Sequence, residues 1–374
     1  MQFGSAFTEI LDKRQMPLSV LADRSGFDES KLKAVLDGKE EVTDELAANV
    51  ADALGVPTRA LFATSAQHLS SIPDFRRRVP SRSLLEPEAI KAIAFVERIS
   101  LTLSALGIDF SSSNSLHKHS GPLTRAAAED LAYKWRRRWG ITEEQQLEWR
   151  DANKVYGSLR EFVEGLGIFV IHFKFGTDTV SGLYAKVDRG PHTILINTFA
   201  SSKARKLFTL AHEFCHVILG ADGVSNSASA KNKTEAFCNK FAAALLAPAS
   251  LMLRALKRYG YEPSLSDDLI RLLARNVGIS QQACVLRLSE LGLVEASSYR
   301  RWMSQFSGKA PDGDLSDGGG GGGVDPIQAK RTQFGRSFIN KLAYAYNEGI
   351  LDDIGIYRLS GIKPKYQSAL FEAR

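Results

Sequence analysis

The segment Leu207-Phe-Thr-Leu-Ala-His-Glu-Phe-Cys-His-Val-Ile-Leu219 constrains this chain more tightly than any other stretch. Leu207, Phe208, Leu210, Ala211, Phe214, Val217, Ile218 and Leu219 make it apolar at helical spacing, so it reads as a buried helix. A buried helix is a costly place for isolated ionisable groups, yet this one carries two histidines and a glutamate. His212 and His216 are four residues apart, so on a helix they stand one above the other and can grip one cation through two imidazoles. Zinc suits imidazole nitrogen and, in a catalytic setting, keeps one position open for water. Glu213, beside the first histidine, is placed to take a proton from that water. The competing account is two half-exposed histidines on an ordinary helix, against which the apolar surroundings speak.

A third ligand is needed. Glu235 heads a second apolar helix, Lys233–Leu246, and shares a face with Cys238 and Asn239, while Phe241, Leu245 and Leu246 continue the buried side. A solvated carboxylate favoured by the helix dipole is the alternative reading of Glu235. Cys215 and Cys238 are alternative ligands, because thiolates also bind zinc, although a small buried hydrophobe is the commoner role for cysteine on such helices.

At 374 residues the chain is long enough for two or three modules, each with its own core. No apolar run is long enough to span a bilayer, and the opening MQFGSAFTEILDKRQ lacks the order of a secretory signal. Cys215, Cys238 and Cys284 are too few, and odd in number, for a disulfide framework, so a cytoplasmic setting is expected. The net charge of +6 permits a nucleic-acid partner without demanding one.

Residues 1 to 64 read as short helices at Phe7–Gln15, Leu18–Ser25, Glu29–Leu36 and Glu45–Leu54, with a last turn near Leu61. SAQHLSSIP (65–73) reads as a linker, and Pro87 to Trp139 as helical, broken by a polar loop at 111–122. Ile168–Phe173, SGLYAKV (181–187) and Thr193–Asn197 have the β-branched character of strands. Leu269–Leu291 holds two helices around Val277-Gly278. SDGGGGGG (316–323) is a flexible linker, and Gln328–Glu348 a terminal helix. The basic runs Arg76–Arg78 and Lys134–Arg138 suit a solvated helix face better than a nucleic-acid patch.

Taken in order, these segments resemble the ImmA/IrrE-type metallopeptidases, which cut DNA-binding repressors. DTVSGLY (178–184) and TILIN (193–197) are similar to the strands before that family's active helix, and KLFTLAHEFCHVIL (206–219) to the zinc helix. EAFCNKFAAALLAP (235–248) is similar to its glutamate-to-proline segment, with Ala247 where methionine is usual, and residues 273–294 to its downstream helix pair. The resemblance covers about residues 75–300. It implies a zincin-like core in which His212, His216 and Glu235 hold zinc (Zn2+) and Glu213 is the general base of peptide hydrolysis. Tyr184 and His192 are candidates for stabilising the transition state. An extended substrate is expected to pair with an edge strand around Ser181–Lys186, so Ser181, Gly182, Leu183 and Tyr184 are candidate substrate contacts.

The stretch 18–62 resembles the XRE-type helix-turn-helix, with Glu29–Leu36 as recognition helix and Lys31, Lys33 and Lys39 as candidate DNA contacts. Residues 1–64 carry seven Lys and Arg against eleven Asp and Glu, a net of −4, which opposes binding to a polyanion. Protein docking or homodimerisation is the other use open to this module, and Ser280–Leu291 also resembles a recognition helix. The expectation is an α+β, mostly helical protein. An all-α helix-turn-helix module (1–64) and a helical connecting region (65–139) precede a metallopeptidase core with a small β-sheet (140–300), a Gly-rich linker (301–325) and a C-terminal helical segment (326–374). Its expected activity is that of a zinc endopeptidase cutting a repressor or antitoxin encoded nearby. The rival is a DNA-binding transcriptional regulator using the same fold as a sensor.

Overall fold

The computed structural model describes residues 3–14, 16–66, 75–77, 87–108, 116, 119–176, 180–187, 190–199, 201–220, 228–260, 266–295, 297–305 and 325–372. The glycine run at 316–323, nearly all of the 65–73 linker, Arg78 and much of the 111–122 loop lie outside the described residues. The fold is mostly helical with one small mixed sheet, an α+β arrangement as the sequence indicates.

The front of the chain forms α1 (Ala6–Arg14), α2 (Leu18–Ser25), α3 (Glu29–Leu36), α4 (Asp44–Leu54) and a 3-10 turn, Thr58–Phe62. Each boundary has a local cause. Gly26 and Gly55 close α2 and α4 in the left-handed region that glycine adopts without strain, and Thr43 caps α4 by accepting from the Leu46 amide at 3.2 Å. This module packs on α5 (Pro87–Ala105) through a buried charge pair. Arg14, 1% exposed, donates to both carboxylate oxygens of Glu97 at 3.0 and 2.7 Å and to the Leu54 carbonyl at 3.0 Å.

The strands are β1 (Phe75–Arg77), β2 (Phe169–Phe173), β3 (Val180–Ala185) and β4 (Thr193–Asn197), in the order β1-β3-β4-β2. β2 and β4 are parallel, and β3 is antiparallel to both of its neighbours. The expectation that β3 forms an edge is therefore corrected, because β1 pairs along it, Phe75 opposite Leu183 and Arg77 opposite Val180. Side chains alternate between the two faces. Val170, Tyr184, Ile194 and Ile196 enter a core with helices α6 (Arg125–Trp139), α7 (Glu143–Trp149), α8 (Ala152–Gly165), α9 (Lys203–Leu219) and α10 (Ala228–Leu246). Phe169, Ile171, Leu183 and Leu195 enter a second core with the front module, α5 and the C-terminal helices.

Those C-terminal helices are α15 (Pro326–Asn347), α16 (Asp353–Ser360) and α17 (Pro364–Phe371). α15 lies on the sheet, with Phe338 edge-on to Phe169 at 5.3 Å, and breaks at Gly335, where φ is 73°. The second half restarts on the Glu164 carboxylate, which accepts from the Arg336 and Ser337 amides at 2.7 and 3.4 Å. Between the core and this segment run α11 (Ala249–Tyr259), α12 (Asp267–Val277), α13 (Gln281–Glu290) and α14 (Ser297–Ser304). Among the described residues no single helix is long and apolar enough to cross a membrane.

Candidate metal centre

α9 carries the centre. Ser202 caps it by accepting from the Arg205 amide at 3.2 Å, and Gly220 ends it in the left-handed region. Its burial exceeds that of an amphipathic surface helix, since His212 and Glu213 are wholly inaccessible and His216 nearly so. β3 lies flush against it at Gly182. A Cβ on that glycine would stand 2.5 Å from the Thr209 methyl, 2.8 Å from the Leu195 carbonyl oxygen and 3.5 Å from Glu213 Cγ. The close approach of strand to helix at Glu213 thus requires the absence of a side chain.

α10 brings Glu235 to the two histidines. His212 Nε2 and His216 Nε2 are 3.1 Å apart. The Glu235 carboxylate straddles them, Oε2 at 3.3 Å from His212 Nε2 and Oε1 at 3.2 Å from His216 Nε2. Three ligands at zinc distances of about 2.0–2.1 Å around a tetrahedral centre lie about 3.3 Å from one another. The observed separations are of that size, with one Glu235 oxygen facing each imidazole, so the donor set is compatible with a tetrahedral metal of zinc's size. Among the described residues this trio is the one cluster of at least three His, Cys, Asp or Glu with donor atoms close enough to share an ion.

The surroundings are tuned in the same direction. Burial lowers the basicity of His216, but Cys238, Glu235 and Glu213 outweigh it and push its pKa well above the usual histidine range. Burial likewise raises Glu235, yet its contacts with His212 and His216 carry it far below the usual carboxylate range. Cys238 behaves otherwise: burial, then Cys215, pushes its thiol well above the ordinary value despite the nearby His216, which disfavours the thiolate a metal would need. All three cysteines are free.

Asn239, one turn beyond Glu235, accepts from His212 Nδ1 at 3.1 Å. A proton held on Nδ1 leaves Nε2 with its lone pair turned to the metal position, and this is the usual task of a group behind a ligating imidazole. The sequence placed Asn239 on the correct face of the helix but could not assign it this role.

The other expected residues sit differently. Tyr184 and His192 are stacked and joined, hydroxyl to Nδ1, at 2.7 Å. Ser181 Oγ accepts from Arg205 Nε and Nη2 at 3.2 and 3.0 Å, and Leu183 belongs to the opposite core. In the front module, Lys33 pairs with Glu29 at 2.7 Å and Lys39 with Asp37 at 2.9 Å, while Lys31 lies over the Phe27 ring.

Residues 163–289 match the model of the IrrE N-terminal-like domain, a peptidase family. The matched stretch spans β2 to α13 and includes all three donors and Glu213. This similarity and the donor geometry support a zincin-like metallopeptidase. No curated protein matches the chain.

Proposed function

We propose that the chain is a zinc-dependent endopeptidase that cuts a regulatory protein of the repressor or antitoxin type. The observation that carries this reading is the triangle of His212 Nε2, His216 Nε2 and the Glu235 carboxylate beside the buried Glu213.

In this reading His212, His216 and Glu235 hold the ion, and Asn239 keeps His212 in the ligating tautomer. Zinc bound there would act as a Lewis acid on the scissile carbonyl and lower the pKa of an attacking water. Glu213 points from the same helix about 100° away from His212, accepts the water proton, and returns it to the leaving amine. Its complete burial removes competing solvent, which strengthens the carboxylate's interaction with that proton. Gly182 lets the backbone of β3 run close against α9 beside the reacting groups.

The test is metal content by mass spectrometry on the purified chain, followed by co-expression with a small repressor encoded beside it. One zinc per chain, lost in His216→Ala, together with cleavage of the repressor, is the expected result. Retention of stoichiometric zinc by His216→Ala would remove the ligand assignment. Zinc without cleavage of any neighbour favours a sensor that binds metal through the same residues.

A further inference from the structure

A cleft of about 920 Å³, at the upper end of what ligand pockets enclose, lies beside the metal centre. Glu235 and Asn239 line it, whereas His212, Glu213 and His216 are buried, so the cleft borders the proposed reaction site. It runs from Ser181 and Arg205, across the exposed side of α10, to α13 and the approach to α6.

Two features of its lining are unlike ordinary surface. The first is apolar: Phe208, Phe237, Ile279 and Ala283 line it together with Leu123 and Leu286, which are 39% and 41% exposed. The second is charge. Arg125, Arg205, Lys233, Lys240 and Arg287 line the cleft against Glu235 and Glu290, and Glu235 is committed to the metal position.

The cations divide into two sets. Arg287 and Lys240 build the wall. Arg287, 1% exposed, makes a two-pronged pair with Glu129 at 2.5 and 2.9 Å and donates to the Ala247 carbonyl at 2.8 Å, while Lys240 bonds Glu290 at 2.7 Å. These bonds fix α13 against α6 and α10, so the cleft has a rigid side. Arg125 and Lys233 form the rim. Both are exposed, and Arg125 reaches Glu290 only through a surface pair with its own side chain 78% accessible.

We propose that this cleft selects the substrate, taking a polypeptide segment in which an apolar side chain is flanked by carboxylates. The apolar residue lies against Leu286 and Phe237, and the carboxylates meet Arg125 and Lys233 at the rim. Burying an aliphatic or aromatic side chain supplies the larger share of the selectivity, and exposed ion pairs the smaller. The proposal rests on the peptidase reading for the fate of the segment, but not for its capture.

The experiment uses the full-length zinc-loaded Glu213→Gln protein, immobilised, and a synthetic peptide library with a randomised core, sequenced by mass spectrometry. Retained peptides should be enriched about tenfold in Leu, Phe or Met at one position. Asp and Glu at its flanks should be enriched about fivefold. Leu286→Ser should erase the first preference and leave the second. The double change Arg125→Glu, Lys233→Glu should erase the second and leave the first. Zinc content and melting temperature should stay at the parent values in all of them. A retained set with no bias, no retention at all, or a bias unmoved by these variants overturns the proposal, as does preferential capture of a mixed-sequence oligonucleotide. If the biased peptides are retained but the wild-type protein cuts none of them, the groove stands and the peptidase reading falls. If peptides are cut with no such bias, the reverse holds.

Discussion

On and just after α3 in the front module, charged side chains lie on the surface and pair with their own sequence neighbours: Lys33 with Glu29, Lys39 with Asp37. In α9 and α10, charged and ligating groups lie inside the protein and converge from two helices on one point. Both regions resemble known motifs in sequence. They differ in what their charges cost. An exposed lysine is stable with or without a partner, so its presence on a recognition-like helix is compatible with many uses. A largely buried His-Glu cluster persists only where something offsets its desolvation, and here the three groups share a geometry compatible with one ion. Burial is what makes one motif informative about function and leaves the other merely compatible with it.

The comparison breaks most sharply at Glu213. Glu213→Gln keeps size and shape but cannot accept a proton, so cleavage should fall by about two to four orders of magnitude with zinc content intact. A parallel gel assay and metal analysis read both quantities. Loss of zinc in this variant would make Glu213 a ligand instead.

Glu97→Ala tests the front module's attachment. It leaves the Arg14 guanidinium buried without its carboxylate and should cost about 3–5 kcal/mol of stability. Chemical denaturation of the full chain measures this, and a loss below about 1 kcal/mol would show that water reaches Arg14.

Asn239→Leu removes the acceptor behind His212, and zinc affinity should drop about 10- to 100-fold, with Asn239→Asp retaining it. Competition with a calibrated chelator gives the affinity. Equal affinities in all three proteins would reduce Asn239 to a bystander.

The smallest effect is expected at α3. Replacing Lys31, Lys33 and Lys39 together by Ala should leave the full chain's affinity for its own upstream DNA unchanged within about twofold, since neighbouring carboxylates already offset two of these lysines. Sub-micromolar, sequence-selective binding that these changes abolish would restore the regulator reading and erase the contrast between the two regions.

Local pattern made much of this legible. The front helices follow from apolar spacing and glycine stops, and α2 and α3 fall on their expected residues. That His212 and His216 share a face was readable because helical periodicity fixes it, whereas Glu235 sits on another helix and only packing brings it to them. What escaped depends on partners distant in sequence. β1 is three residues long, and its pairing with β3 spans more than a hundred positions, so nothing local marks Phe75–Arg77 as a strand that covers the expected edge. The break in α15 looks in sequence like one tolerated glycine, and becomes a restart only because Glu164 lies beneath it. Asn239 was visible on its face, but its bond to His212 requires the packing of α10 on α9.

The contact between Arg14 and Glu97 bears on how such a chain can be inherited. A helix-turn-helix-like front end joined to a catalytic core looks like two genes fused at a seam, each piece exchangeable at residue 65. Here the seam runs elsewhere, since the guanidinium is on one side of it and the carboxylate it pairs with, 83 residues later, is on the other. A recombination that replaced residues 1–64 alone would strand Glu97 against a foreign surface, and the front helices transplanted alone would carry Arg14 without a counter-ion. The inheritable unit therefore extends at least through α5, and the front end travels with the helix it is locked to.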